Sequence, residues 1–266
     1  MDHPPVILVT GASSGIGAAT ARLFGQKGYR VVLAARRYNR LESLAVEIRN
    51  ADGQSLPFAA DMSVLEDIES LVDRTLRAYG QIDILFNNAG FGRLGWLENL
   101  DPEQDIEAQL RVNLCGLVYM ARAVLPHMIA RRSGHIINMS SVAGLMATPT
   151  YSIYAASKFA VRGFTDALRR EVGVYGVRVS GIYPGGVATE FSSHTGTNRK
   201  TGVTTPAFLR LSSEDVANAV WKLVQHPRRK LVIPWVMNLA VWIATLFPGL
   251  ADRVIEQQFV RPERLG

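Results

Sequence analysis

The chain has 266 residues, 48% of them hydrophobic and 20% charged, which excludes a disordered or fibrous protein and fits a globular domain with ample core. Its net charge of +6 comes from scattered short clusters (Arg36-Arg37, Arg131-Arg132, Arg169-Arg170, Arg228-Arg229-Lys230) without interleaved aromatics, so nucleic-acid binding is not expected. The single cysteine, Cys115, excludes an intrachain disulfide and suits a reducing, cytoplasmic setting.

The opening Met1-Asp2-His3-Pro4-Pro5 has neither the basic region nor the long apolar region of a secretory signal, so none is expected. Short β-branched runs then recur at 5–10, 30–35, 55–59, 82–87, 135–139, 177–183 and 230–233. Between them lie segments of helical period near 15–28, 39–50, 64–79, 103–131, 153–174 and 213–225. Such alternation predicts a single-domain, doubly wound α/β (Rossmann) fold, with a seven-stranded parallel sheet and helices on both faces. The irregular stretch from Pro184 to about Leu211 exceeds a routine connection and reads as a functional loop beside the carboxyl ends of the strands. Residues 1–233 form the expected dinucleotide-binding and catalytic domain, and 234–266 a helical extension packed on it.

The first strand ends in Thr10-Gly11-Ala12-Ser13-Ser14-Gly15-Ile16-Gly17 and passes into a helix. A glycine-rich turn at a helix N-terminus lets backbone N–H groups approach a pyrophosphate, where the helix dipole favours negative charge. The spacing is G-x-x-x-G-x-G and departs from the common G-x-G-x-x-G fingerprint. The second strand ends at Ala35-Arg36-Arg37, where an NAD-preferring fold usually carries an Asp or Glu for the ribose 2′-hydroxyl. Two guanidinium groups there match a 2′-phosphate in charge and fork geometry, so NADP(H) is the expected cofactor.

Ser140-Ser141 follows the fifth strand, and Tyr154-Ala155-Ala156-Ser157-Lys158 opens a helix. At i and i+4, Tyr154 and Lys158 share a helical face. A phenol titrates near 10 and is a poor acid or base at neutral pH, so a neighbouring ammonium is expected to lower its pKa. The Ser141 hydroxyl, just past a strand end, is placed to hydrogen-bond a substrate carbonyl.

Together these residues resemble the short-chain dehydrogenase/reductase family over Pro5 to about Ile233. The motifs stand here as Thr10-Gly11-x-x-x-Gly15-x-Gly17, Asn87-Asn88-Ala89-Gly90, Asn113, Ser141, Tyr154-x-x-x-Lys158 and Pro184-Gly185. The resemblance implies an oxidoreductase that moves a hydride between a nicotinamide and a carbonyl or secondary alcohol. It assigns Asn113, Ser141, Tyr154 and Lys158 to catalysis, and selects Ser141 over Ser140 by its distance of thirteen residues from the tyrosine. To the cofactor it gives Gly11, Ser13, Ser14, Gly15, Ile16, Gly17, Arg36, Arg37, Asp61, Met62, Asn88, Ala89, Gly90, Tyr154, Lys158, Pro184, Gly185, Val187 and Thr189. Asn113 resembles the helix-bend asparagine of a proton relay, and Asp61 the residue contacting adenine. The family needs no metal, and His3, His127, His135, His194 and His226 show no zinc-type spacing. Pairing of the two long helices, 103–131 and 153–174, implies a homodimer or homotetramer. A non-catalytic NADP(H)-binding sensor or scaffold is the rival reading, and the intact Ser-Tyr-Lys-Asn set argues against it.

The tail departs from this pattern. Pro234 to Pro248 brackets an uncharged, nearly all-apolar stretch expected to form one helix, too short to cross a bilayer. Its cover could be a partner subunit, a membrane surface or the substrate mouth. The absence of a basic face speaks against a membrane surface. With Phe191 and Phe208 of the preceding loop, the tail is expected to wall a pocket for a hydrophobic carbonyl substrate.

Overall fold

A computed structural model describes residues 3–190 and 206–265. Seven parallel strands form one sheet: β1 (Val6–Thr10), β2 (Arg30–Ala35), β3 (Gln54–Ala59), β4 (Ile84–Asn87), β5 (Gly134–Met139), β6 (Val177–Pro184) and β7 (Lys230–Ile233), in the order β3-β2-β1-β4-β5-β6-β7. The central register pairs Ile7 with Val31 on one side and with Ile84 on the other. Val6 to Val9 are fully buried without alternation, because helices cover both faces of the strand.

The crossovers place α1 (Gly15–Gln26), α2 (Tyr38–Asn50), α3 (Leu65–Tyr79), α4 (Pro102–Ala130), α5 (Ser152–Val172) and α6 (Ser213–Gln225) around the sheet. On one face Ile7, Val9, Phe24, Leu33 and Leu41 join Val216, Val220 and Leu223 of α6. On the other, Val6, Leu8, Val32 and Leu85 meet Ile68 and Leu71 of α3 and Met120, Val124 and Met128 of α4. Helix α3 shows the sequence logic plainly: Ile68, Leu71, Val72 and Thr75 make its buried stripe, and Gly80 stops it in the left-handed region at φ 74°. At the start of α6, Ser212 and Asp215 form a reciprocal capping box.

Helix α4 covers the expected helical stretch 103–131, with Pro102–Glu107 and Arg111–Gly116 wound with π-type bonds. Asn113, the expected helix-bend residue, lies in the second of these. The stretch between Pro234 and Pro248 forms the one helix expected of it, α7 (Met237–Leu246), and the chain continues into α8 (Pro248–Leu265), bent by 110° about Phe247. Proline tolerates the first turn of a new helix better than the interior of an old one.

The chain winds outward from β1 in one direction and from β4 in the other. The carboxyl ends of β1 and β4 therefore flank the point where strand order reverses, and a crevice opens there for a ligand.

Candidate active site

The turn after β1 is built so that backbone lines the crevice. Gly11 at φ 67° and Gly15 at φ 53° adopt the left-handed conformation. A Cβ on Gly17 would lie 2.2 Å from the Gly11 carbonyl oxygen, so only glycine fits. The segment after β4 props this turn: the Thr10 hydroxyl accepts from the backbone N–H groups of Asn88 and Ala89, both at 3.0 Å. The Asn88 amide donates to the Thr10 carbonyl at 2.9 Å. Ser14 enters α1 in extended conformation without a side-chain cap, which leaves its hydroxyl available to another partner.

That partner is Arg37. Its guanidinium donates to Ser14 Oγ at 2.8 Å and to Ser13 Oγ at 3.0 Å, so one arginine is strapped across the glycine-rich turn. It also reaches Glu190 at 3.2 Å, and Arg40, one helical turn on, meets the same carboxylate at 2.8 Å. The two arginines hold the Glu190 carboxyl below its ordinary pKa. Arg36, by contrast, is 74% exposed in its side chain and faces Asp61 at 3.8 Å. The two arginines expected at the cofactor thus differ in placement: the fork of Arg37 lies over the turn, while Arg36 pairs with Asp61.

Other expected cofactor contacts divide in the same way. Asp61 turns its carboxylate to the backbone N–H and hydroxyl of Ser63, at 2.9 and 2.7 Å. Met62 is 5% exposed and packs in the core, with its carbonyl backed against Gly116. Ile16 packs against the core beside α6. Gly185 donates its N–H to the Ile233 carbonyl at 2.7 Å, and Val187 bridges to Leu211, which carries Thr189 over the turn beside Gly15. Phe191 lies outside the described residues. Phe208 is 85% exposed on a single turn of 3₁₀ helix, so it does not wall a pocket as expected.

At the other end of the crevice, α5 buries Tyr154 and Lys158 on one face, as their spacing requires. The Lys158 ammonium donates to the Met139 carbonyl at 3.0 Å and sits 5.7 Å from the Tyr154 ring centroid. Gly90 lies between this ammonium and Asn113, and a Cβ there would come within 2.9 Å of Asn113 Oδ1. Burial acts oppositely on the two groups. It pushes the Tyr154 phenol up to about 12, against a lowering hydrogen bond from Ser141, and the Lys158 ammonium down to about 8. The expected depression of the tyrosine by its lysine is therefore not found. Desolvation dominates, and the ammonium is engaged with Met139.

Ser141 Oγ accepts from the Ala143 N–H at 3.1 Å and donates weakly to the Pro184 carbonyl at 3.5 Å. Ser140 is buried, and its hydroxyl donates to the Lys158 carbonyl at 3.0 Å, a structural tie. Asn113 is fully buried. It accepts from the Phe91 N–H at 2.9 Å and donates to the Phe91 carbonyl at 2.8 Å, which clamps the loop after β4 to the π-wound turn. Sequence reasoning missed Arg40, Glu190 and Tyr151, whose ring meets that of Tyr154 edge-on at 6.1 Å. Arg40 was signalled by its i+3 spacing from Arg37; Glu190, 150 residues away, carried no local signal.

A nicotinamide dinucleotide fits this crevice: Gly11 and Gly15, in the left-handed conformation, leave the backbone of the turn bare of side chains, and a guanidinium overhangs it. The profile of the short chain dehydrogenase family matches residues 5–200. The chain belongs to the short-chain dehydrogenase/reductase family and is an oxidoreductase of that family. It is 35% identical over 270 residues to a dehydrogenase/reductase SDR family protein 7-like from Anopheles gambiae, covering 98% of this chain and 84% of the relative. Among solved structures it is similar to a short-chain dehydrogenase from Sphingobium yanoikuyae in complex with NADPH (TM-score 0.80, 30% identity, 93% and 95% of the two chains covered). It is likewise similar to a Burkholderia phymatum short-chain dehydrogenase/reductase in complex with NAD (TM-score 0.83, 26% identity, 93% and 95% covered).

Proposed function

We propose that this chain is an NADP(H)-dependent reductase of a hydrophobic carbonyl compound, with Tyr154 as proton donor. The observation that carries this reading is the neutral, buried Tyr154 phenol beside Ser141, with Lys158 beneath it on the same helix face. Solved relatives are found with either cofactor, so the choice rests on this chain's residues. A guanidinium strapped over the glycine-rich turn favours a 2′-phosphate, and no carboxylate ends β2.

The cofactor supplies the hydride, and the protein supplies position and the proton. Ser141 orients and polarises the carbonyl oxygen. Tyr154, held as the neutral phenol at pH 7, donates its proton to that oxygen as negative charge develops. Lys158 would hold the nicotinamide ribose and keep a positive charge near the phenolate that remains. Asn113 positions the loop after β4 through Phe91 and supports the proton path. Val142, Leu145 and Met146, directly after Ser141, pack with Met237 and Val241 of α7, which supports an apolar substrate. Homodimerisation through α4 and α5 belongs to the same reading, with Tyr119 and Phe159 exposed on those helices.

The test is oxidation of NADPH against a panel of lipophilic ketones, for wild type and Tyr154→Phe. Wild type should turn over and the variant should lose nearly all activity while still binding NADPH. A variant that kept substantial activity would refute the role of Tyr154.

A further inference from the structure

The outer side of the tail gathers many of the exposed large apolar side chains. Trp235, Leu239, Trp242, Ile243, Leu246, Phe247 and Leu250 are each between 45% and 77% exposed. Leu239, Trp242, Ile243 and Leu246 recur at helical spacing and so form one stripe on α7, opposite the side on which Val241 is buried. The helix is thus turned apolar side outward, a surface that monomeric proteins in water rarely present.

The polar groups of this segment show what covers it. From Leu231 to Ala251 no residue is charged, and the only side chains with hydrogen-bonding groups beyond the two indoles are Asn238 and Thr245. Each spends a donor within the segment: Asn238 Nδ2 donates to the Trp235 carbonyl at 3.0 Å, and Thr245 Oγ1 to the Val241 carbonyl at 2.7 Å. A protein interface of useful size needs about one hydrogen bond per 100–200 Å², and this stripe offers almost nothing to one. Hydrocarbon, conversely, demands that polar groups be paired internally. The indoles of Trp235 and Trp242 suit the headgroup boundary, where an apolar ring is buried and its N–H stays wet. The stripe has no basic face, so contact with lipid would rest on its apolar side chains, with exposed Lys230 before the stretch and exposed Asp252 and Arg253 after it adding no net attraction beyond one positive charge. The bend of 110° at Phe247 and the ten residues of α7, about 15 Å of helix, exclude a span and fit a shallow insertion.

We infer that α7 and the first turn of α8 form a membrane-docking surface that seats the protein on a lipid bilayer, without crossing it. Because the inner side of the same helix packs against the segment after Ser141, docking would bring the mouth of the crevice to the lipid boundary.

The experiment is flotation of the full chain with vesicles of phosphatidylcholine, alone and mixed with phosphatidylglycerol, followed by tryptophan quenching with brominated acyl chains. Wild type should float with the vesicles and be quenched. The exposed double substitution Leu239→Gln/Trp242→Gln should weaken partitioning about a hundredfold, the loss expected for withdrawing two large apolar side chains from lipid. Failure of wild type to float would overturn the inference. So would a vesicle-free assembly that light scattering shows to fall apart in the double variant, because a second copy would then be the cover. Loss of NADPH-linked turnover of a lipophilic ketone by the double variant without vesicles would assign the stripe to substrate instead. Flotation needs no turnover, so it stands apart from the proposed reductase activity.

Discussion

Replacing Arg37 with methionine keeps much of the stem and removes the fork that overlies the glycine-rich turn. If that fork receives a 2′-phosphate, the loss is one charge-assisted contact, about 1.5–3 kcal/mol, or roughly ten- to hundredfold in affinity. The upper half of this range is expected, because Ser13 and Ser14 already hold the guanidinium at 3.0 and 2.8 Å, so little freedom is lost on binding. Arg36→Met should cost less than about 1 kcal/mol, or about fivefold, since that side chain is 74% exposed and faces Asp61. Fluorescence titration with NADPH and NADH, at low and high salt, reads both effects. NADPH affinity should fall in Arg37→Met while NADH affinity stays the same, and the wild-type preference should shrink as salt rises. Equal losses for both cofactors would show that Arg37 supports the turn and does not read the phosphate.

Lys158→Met should raise the melting temperature of the cofactor-free protein at pH 7 while removing activity. Burial lowers the folded-state pKa from 10.5 to about 8, so the charged lysine costs up to about 3 kcal/mol below pH 8, and the cost fades as pH rises toward 10.5. Thermal melts across that window should show the gain shrinking, and a gain independent of pH would refute it. His135, buried with Nε2 against Ser180 Oγ at 2.8 Å, is pushed down to about 4 by burial and then by Arg178. Its neutral form is the one that folds, so stability is intact above about pH 6.5 and declines by up to about 3 kcal/mol as pH falls to 4. His135→Gln should flatten that part of a denaturation-versus-pH curve. Gly17→Ala should abolish cofactor binding, since the new methyl would meet the Gly11 carbonyl; calorimetric titration with NADPH checks it.

Strands were legible because a strand covered on both faces reads as an unbroken apolar run, and Val6-Ile7-Leu8-Val9 has no other use. Tyr154 and Lys158 were legible because helical spacing alone puts them on one face. Their protonation was not: a pKa depends on what surrounds a group in space, and burial outweighed the ammonium that sequence proximity suggested. The two arginines were adjacent in sequence yet diverge in space, because Arg37 precedes the first turn of α2 and swings over Ser13 and Ser14. The π-wound turns of α4 left no mark in the hydrophobic period, since one extra residue shifts the stripe by less than its width. For the tail, composition gave an apolar helix but not its orientation. Met237 and Val241 point inward and the larger Trp242 and Leu246 outward, the reverse of what burial of the largest side chains would predict.

The opposed pKa shifts also bear on the direction of the proposed reaction. A phenol at about 12 is fully protonated at pH 7 and is in the form a reduction needs, whereas oxidation would first have to remove that proton at considerable cost. Once the phenol has given its proton to the substrate oxygen, a phenolate of such basicity is a strong acceptor. Lys158, on the same helix face, donates to the Met139 carbonyl at 3.0 Å and lies 5.7 Å from the Tyr154 ring centroid, so in the proposed reduction it acts as the cation that steadies the phenolate left behind. Burial of the phenol therefore favours the protonation state that reduction uses, and the neighbouring ammonium offsets the cost of the charge that proton donation creates.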